Sequence, residues 1–200
     1  MLGAFTLALA IWLVVYFLAP PIPGPLDQLP DRLAFAIKCA AMATLFCLLS
    51  GIEAVSHERL QGEAFDPLTG KESRRLKINQ RYLQNTVEQW LLFVPGLLGL
   101  AIYCSDADAM RAVGATTIVW IISRAAFWIG YHQGSLYRVF GLVGMAQSML
   151  VLLYVCARFG FELAGAAGAI APVLLFALIE AVLVKYTRSS PRQGDADGSQ

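Results

Sequence analysis

Three polar residues lie at helical spacing at the start of a long apolar segment. Arg81, Asn85 and Glu88 occupy positions i, i+4 and i+7 of "RYLQNTVEQWLLFVPGLLGL". A helix places residues at this spacing on one side, so a cation, an amide and a carboxylate share one stripe. This stripe is either a solvated rim or one wall of a polar pocket. Arginine suits a ligand carboxylate, because its planar fork binds both oxygens.

The composition is that of an integral membrane protein. The 200 residues are 58% hydrophobic and only 14% charged, and the mean hydropathy is +0.61. Soluble domains have about a quarter of their residues charged. A net charge of +1 predicts no nucleic-acid partner. The four cysteines lie in or beside apolar runs, and no CxxC or Cys/His spacing predicts a metal site.

The apolar segments predict an all-α fold with about six membrane spans. A helix needs about 20 residues to cross the hydrocarbon core. The first segment has no basic n-region and no small-x-small cleavage site, so it is predicted to be a span and not a signal peptide. A proline-rich link follows it, and the polar residues 187–200 are predicted to be a disordered tail. The six predicted spans are 2–19, 33–54, 80–103, 110–131, 138–158 and 162–184.

Lysine and arginine counts predict the orientation in the membrane. The connection at 55–79 holds five basic residues and the segment after the last span holds three. The link at 20–32 holds one, and the turns at 104–109 and 159–161 hold none. Basic loops face the cytoplasm. We therefore expect the 55–79 loop, both termini and the start of the third span on the cytoplasmic side.

This topology brings the polar residues of three spans to one depth. Arg124 lies seven residues before Tyr131, about 10 Å from the cytoplasmic end of its span. Arg138 begins the fifth span at that same end. An ionisable residue at the bilayer centre costs at least about 2.5 kcal/mol, so each requires a partner or a pocket. The cytoplasmic-side layer contains Arg81, Asn85, Glu88, Arg124, Tyr131 and Arg138.

Simpler interpretations of these charges exist. Arg81 and Arg138 lie near helix ends, where an arginine side chain can extend to lipid phosphates. Glu88 and Arg124 lie deeper and are compatible with a structural ion pair between neighbouring helices. These readings compete with a ligand-binding pocket.

Two stretches resemble the MAPEG family of membrane-associated proteins in eicosanoid and glutathione metabolism. The motif Arg-x-x-x-Asn-x-x-Glu of its second helix matches Arg81, Asn85 and Glu88. The stretch "ISRAAFWIGYHQGSLYRVFGLVG" resembles the family's third helix, its turn and the start of its fourth. Arg124, Tyr131 and Arg138 fill the matching positions there. The resemblance covers about residues 33–158.

The resemblance implies a four-helix MAPEG-like bundle, a homotrimer, over residues 32–158. Residues 1–31 are then an additional N-terminal transmembrane helix with its link, and 159–186 an additional C-terminal one. Two positions depart from the family pattern. A histidine found in some members is Phe127 here, and a tyrosine is Leu142.

The same resemblance implies glutathione as a thiol co-substrate, bound between adjacent subunits on the cytoplasmic side. Its binding residues are Arg81, Asn85, Glu88, Arg124 and Tyr131, with Glu88 taking the ammonium. Arg138 is the implied catalytic group, which stabilises the thiolate. A lipophilic co-substrate arrives from the bilayer for conjugation, peroxide reduction or isomerisation. The alternative is a non-catalytic scaffold or lipid-binding protein of the same fold, which Phe127 and Leu142 favour.

Overall fold

The computed structural model describes residues 2–20, 22, 24, 26–61, 65–66, 70–134 and 139–189. These residues contain α-helices, one π-helical segment and no strand. The elements are α1 (Leu2–Leu18), α2 (Leu29–Ala43), the π-helical segment (Thr44–Leu49), α3 (Ser50–Gln61), α4 (Arg74–Tyr103), α5 (Ala107–Gln133) and α6 (Val139–Ser189).

Four of the described helices are long and apolar enough to cross a membrane. They are Leu29–Gln61, Arg74–Tyr103, Ala107–Gln133 and Gly141–Thr187, and Gly3–Leu18 is a shorter apolar helix. The first of these joins α2, the π-helical segment and α3 into one continuous helix. The predicted all-α membrane fold is thus confirmed, while the count of six spans stays a prediction. With 51 residues, a straight α6 would be about 77 Å long, more than twice the hydrocarbon thickness of about 30 Å.

A break divides α6 into two shorter helices. Ala164 (φ −146°, ψ 25°) and Gly165 (φ 61°, ψ −146°) leave the helical conformation. The positive φ of Gly165 favours glycine. The backbones of Gly160 and Gly168 are in contact across this break, where no Cβ atom fits. The break therefore lies three residues after the turn predicted at 159–161, and the helix ends at Ser189, within the tail predicted from residue 187.

The chain divides into two compact units, Met1–Val155 and Cys156–Gln200. The first unit contains α1 to α5 and the first part of α6, and it holds all the predicted site residues that the structure describes. Arg138, the predicted catalytic residue, lies outside the described residues.

Side-chain caps extend two helices beyond their apolar segments. Ser73 Oγ accepts a hydrogen bond from the backbone N–H of Leu76 at 3.0 Å, so α4 begins at Arg74 and not near residue 80. Asp106 Oδ1 accepts one from the N–H of Ala109 at 2.8 Å, so α5 begins at Ala107. Such caps satisfy N–H groups that the first helical turn leaves free. The helical first turn of α4 thus carries part of the basic charge assigned to the 55–79 loop.

Small residues allow the helices of the first unit to approach closely. Ala36, Ala40 and Ala43 of α2 are buried in the core that α2 forms with α4 and α5. The rings of Phe93 on α4 and Trp120 on α5 stack in the same core, with centroids 4.5 Å apart. In a bilayer, helices associate through such close packing, because lipid tails are as apolar as the side chains.

The π-helical segment between α2 and α3 is bonded to α4 by two side chains. Tyr82 donates its hydroxyl hydrogen to the carbonyl of Cys47 at 3.1 Å. Trp90 Nε1 donates to Thr44 Oγ1 at 3.0 Å. A π-helical turn leaves backbone groups out of the regular i→i−4 pattern and is frequent near functional sites. Here Tyr82 satisfies one of the carbonyls of this segment.

Replacing Gly99 of α4 by alanine tests how closely this helix packs against α6. A Cβ atom on Gly99 would lie 2.5 Å from Val155 Cγ1, whereas one on Gly114 of α5 would meet nothing within 4 Å. We expect Gly99→Ala to lower the free energy of unfolding by about 1–3 kcal/mol through overpacking. Gly114→Ala, the matched control, should leave it unchanged or raise it by up to about 1 kcal/mol. Detergent unfolding curves measure both, and equal effects would contradict this packing.

The cap of α5 predicts a dependence of stability on acid. The hydrogen bond from Ala109 N–H, together with one from Ser105, holds the pKa of the Asp106 carboxyl below its usual value. The stabilisation is therefore complete above the unfolded pKa of about 3.9 and is lost as the pH falls through the lower folded pKa. Asp106→Asn keeps an acceptor that does not titrate, so its unfolding midpoint should fall less in acid than that of the wild type. Asp108→Asn, the control, should keep the wild-type loss, and superimposable curves for wild type and Asp106→Asn would refute the assignment.

Candidate functional site

A hydrogen bond from a buried arginine joins two of the predicted site residues. Arg124 Nη1 on α5 donates to Asn85 Oδ1 on α4 at 2.9 Å. Arg124 is fully buried, with 0% exposure, and Asn85 is partly buried. The convergence of these two residues, which was predicted from their depth in antiparallel spans, is confirmed.

Aromatic rings form the other walls around Arg124. Its guanidinium carbon lies 4.4 Å from the centroid of the Phe127 ring and 6.0 Å from that of Tyr82. An aromatic face attracts a cation, and more strongly where water is excluded. Arg124 Nε and Nη2 are buried and have no hydrogen-bond partner in the part of the chain that the structure describes. The guanidinium thus retains two donors, which are costly to leave unpaired in an apolar interior.

Gln89 is a member of this cluster that the sequence reasoning did not identify. Its Nε2 donates to Asn85 Oδ1 and to the carbonyl of Gly141 on α6, both at 3.3 Å. Its Oε1 is buried and has no partner among the described residues. Gln89 therefore brings the first turn of α6 to the Asn85–Arg124 pair. The sequence does contain a signal for Gln89, because it is a polar residue inside a predicted span and lies four residues after Asn85.

Arg81 and Glu88 lie on the exposed face of α4 instead of beside Arg124. Gln84 connects them: Arg81 Nη1 donates to Gln84 Oε1, and Gln84 Nε2 donates to Glu88 Oε1, each at 3.2 Å. At 100° per residue, Asn85 and Glu88 differ by about 60° around the helix, and Asn85 is partly buried whereas Glu88 is exposed. We call Arg81, Gln84 and Glu88 the α4 ridge.

The ion pair considered between Glu88 and Arg124 is not formed within the described chain. Arg124 donates to Asn85, and the carboxylate of Glu88 accepts from Gln84. This alternative is wrong for the described chain because Glu88 lies on the exposed face of α4 while Arg124 is buried. Depth alone does not determine which face of a helix a residue occupies.

Phe127 has a packing role at the position where some family members carry histidine. Its ring covers the Arg124 guanidinium and lies against Gly141, where a Cβ atom would approach Phe127 Cδ2 to 2.6 Å. The Tyr131 ring follows one turn later, with its centroid 5.5 Å from that of Phe127. Leu142 is 39% exposed. Tyr131 thus lies seven residues, about two helical turns, beyond Arg124.

A second polar cluster lies at the ends of α4 and α5 near the basic connection. Trp128 Nε1 donates to Asn79 Oδ1 at 3.0 Å, and His132 Nε2 lies 3.1 Å from the same oxygen. Arg75 pairs with Glu58 of α3 at 2.8 Å. These contacts hold together the ends of α4 and α5, the two helices that carry Asn85 and Arg124.

Comparison with known proteins identifies the family. The MAPEG family model matches residues 2–161 of the chain. The chain belongs to the MAPEG family. The MAPEG match begins at residue 2, so it includes α1 as well as the 33–158 region that carries the two motifs.

Relatives of this MAPEG protein include transmembrane proteins of mammals. Over 122 residues it is 28% identical to transmembrane protein 79 of Bos taurus and 26% identical to that of Mus musculus. Each match covers 60% of this chain and 30% of the relative, so the chain spans about a third of their length. It is also 31% identical over 114 residues to the uncharacterized protein sll1147 of Synechocystis sp., covering 56% of this chain and 79% of that protein. No solved structure matches the chain.

A double-mutant cycle tests the buried pair. We expect Asn85→Ala and Arg124→Gln each to lower the free energy of unfolding, with a coupling of about 1.5–3 kcal/mol between them, the range for a hydrogen bond to a charged group. Gln84→Ala removes an exposed amide of the α4 ridge and should cost less than about 0.5 kcal/mol. Unfolding midpoints in detergent are measured for the four proteins of the cycle and for the control, and additive effects of the pair would count against the bond.

Proposed function

We propose that this MAPEG protein is a glutathione-dependent membrane enzyme, of the transferase or peroxidase type, that acts on a lipophilic substrate. The observation that carries the proposal is that the bond from Arg124 to Asn85 lies beside the α4 ridge, which carries one positive and one negative charge. A cationic donor, an amide and a carboxylate thus lie within two turns of one helix. A zwitterionic peptide requires this combination of groups.

The residues present fit glutathione, which carries two carboxylates, an ammonium and a thiol. Arg81 is exposed and offers its guanidinium fork to a carboxylate. Arg124 has two nitrogens, Nε and Nη2, without partners in the described chain, and Asn85 holds its third nitrogen in place. Glu88 is exposed and accepts from the ammonium, and Tyr131 adds a hydroxyl one turn beyond Phe127.

Glutathione supplies a thiol that is reactive as its thiolate, which forms readily only when the thiol pKa of about 8.5 is lowered. Arg138 is the residue that we assign to this task. It immediately precedes Val139, the first residue of α6. A guanidinium and the positive end of a helix dipole both favour an anion.

Exposed charges on a membrane helix support a homotrimer with the ligand between subunits. Arg81 and Glu88 are exposed within Arg74–Tyr103, one of the helices apolar enough to span the bilayer. Charges that face lipid are costly, whereas a neighbouring copy or a bound ligand compensates them. We further propose that this end of the bundle faces the cytoplasm, since the basic residues flank it, and that the lipophilic substrate arrives from the bilayer.

Thiolate absorbance in purified protein tests the proposal. We expect saturable formation of glutathione thiolate, and Arg138→Ala should raise the apparent thiol pKa by at least about one unit. Glu88→Gln should weaken glutathione binding about tenfold, the loss of one charge-assisted hydrogen bond. Lys38→Ala removes an exposed cation of α2 and serves as the control with no expected change. A folded protein that gives no saturable signal would refute the glutathione assignment.

One observation favours a second candidate, a non-catalytic scaffold or lipid-binding protein. Phe127 covers Arg124, which is fully buried, so the guanidinium has no open path to a ligand in this conformation. In that case the α4 ridge would bind lipid headgroups. Vesicles containing an anionic phospholipid would then bind the protein, and Arg81→Ala would lower this binding. The wild type would give no thiolate signal.

A further inference from the structure

A chamber in the first unit lies outside the site described so far. It has a volume of about 490 Å³ and is lined by residues of α1, α4, α5 and the first part of α6. It is partly open to the surface, where its lining residues Leu9 and Leu150 are 59% and 62% exposed. Its lining is almost entirely apolar and includes Phe5, Leu9, Val119 and Leu150. We call it the α1 chamber. A smaller cavity of about 150 Å³ shares Ala8, Val119 and Val143 with it, so α1 leaves space on both of its flanks.

The size of the α1 chamber is that of a ligand site. Ligand pockets commonly measure about 300–1,000 Å³. An engineered apolar cavity of about 150 Å³ in a soluble protein already binds small hydrocarbons. At about 490 Å³, the chamber has room for a molecule much larger than those. Within a bilayer the available occupants are lipophilic, and water does not compete.

Polar contacts interrupt the apolar lining at one height. Trp12 Nε1 donates to Thr116 Oγ1 at 3.1 Å, which ties α1 to α5. Gln147 of α6 donates through Nε2 to the backbone carbonyl of Thr116 at 2.8 Å. This bond fixes the carboxamide, whose Oε1 is then left buried without a partner among the described residues. Trp12, Thr116 and Gln147 all line the chamber.

The unpartnered Oε1 of Gln147 indicates which group a ligand has to supply, namely a hydrogen-bond donor. A carboxamide oxygen accepts hydrogen bonds, and no water is present at membrane depth to donate one. A buried acceptor without a donor is costly, so a ligand O–H that donates to it is strongly preferred over an isostere without one. The lining includes no lysine, arginine, histidine, aspartate or glutamate. An ionised carboxylate or amine would therefore remain unpaired, which excludes charged lipophiles.

We propose that the α1 chamber binds one uncharged lipophilic molecule that carries a hydroxyl group, such as a long-chain or polycyclic alcohol. Its hydrocarbon body packs against Phe5, Leu9 and Leu150, and its O–H donates to Gln147 Oε1. The site is built by α1 and does not use the α4 ridge or Arg124. It goes beyond the thiol chemistry proposed above and is tested without it.

Photolabelling of the full-length chain tests the proposal. The protein is reconstituted in phosphatidylcholine nanodiscs and labelled with a long-chain alcohol that carries a diazirine. The methyl ether and the carboxylic acid of the same chain are the comparison probes. We expect saturable labelling by the alcohol, mapped by mass spectrometry to chamber-lining peptides of α1 and α6. The ether and the acid should label these peptides at least about tenfold less efficiently at equal concentration.

Three variants separate the chamber from ordinary lipid contact. Ala8→Phe fills the chamber and should abolish saturable labelling, whereas Ala10→Phe makes the same change on the exposed face of α1 and should not. Gln147→Leu keeps the size of the side chain but removes the acceptor, so alcohol labelling should fall about tenfold to that of the ether. Gel filtration and unfolding curves establish that each variant is folded.

Two results would overturn the proposal. One is equal labelling by the alcohol and the ether in the wild type, since the hydroxyl would then make no contribution. The other is labelling that does not saturate and is unchanged in Ala8→Phe, which is the behaviour of surrounding bilayer lipid. Neither result depends on glutathione, so the thiol proposal and this one fail independently.

Discussion

A charged guanidinium enclosed among membrane helices is the constraint on which the first unit depends. Arg124 has 0% exposure, and an arginine at the centre of a membrane helix costs about 2.5–3.5 kcal/mol or more without partners. Asn85 therefore has to meet it at the same depth, which fixes the register of α4 against α5. Gln89 bonds both to Asn85 and to the carbonyl of Gly141, so it extends this polar layer of Arg124, Asn85 and Gln89 to α6 and fixes the first turn of that helix. A single charge thus sets the relative heights of three helices.

The polar layer forms only because glycines let α6 approach. A Cβ atom on Gly141 would collide with Phe127, and one on Gly144 with Ser123 Oγ. Larger residues there would move α6 away from Gln89 and open the layer to lipid. Since lipid tails are as apolar as leucine, such close packing is the main attraction between membrane helices. The contacts that stabilise the bundle and those that shape the candidate site are therefore the same.

Hydropathy and depth explain how much of this arrangement could be predicted. Apolar segments located the membrane helices, and counting along antiparallel spans brought Asn85 and Arg124 together. Counting along a helix leaves its rotation undetermined, so it placed Glu88 in the same layer as Arg124 without showing that Glu88 belongs to the exposed α4 ridge. The cap at Ser73 and the break at Gly165 depend on single turns that apolar periodicity does not register. The packing role of Phe127 could not be predicted, because it depends on which side chains of other helices its ring contacts, and the sequence does not show these tertiary contacts.

The helix α5 carries both the polar layer and the wall of the α1 chamber, and its geometry relates the two sites. Thr116 and Arg124 are eight residues apart on one continuous helix, a separation of about 12 Å along its axis. This distance is rigid, because the intervening residues include Trp120, which is fully buried against Phe93. A molecule held by its hydroxyl at Gln147 therefore reaches the Arg124 layer only with a part of its body about 12 Å away from that hydroxyl. If one lipophile served both sites, its reacting group and its hydroxyl would have to be separated by this distance, whereas a short alcohol would occupy the chamber without approaching Arg124.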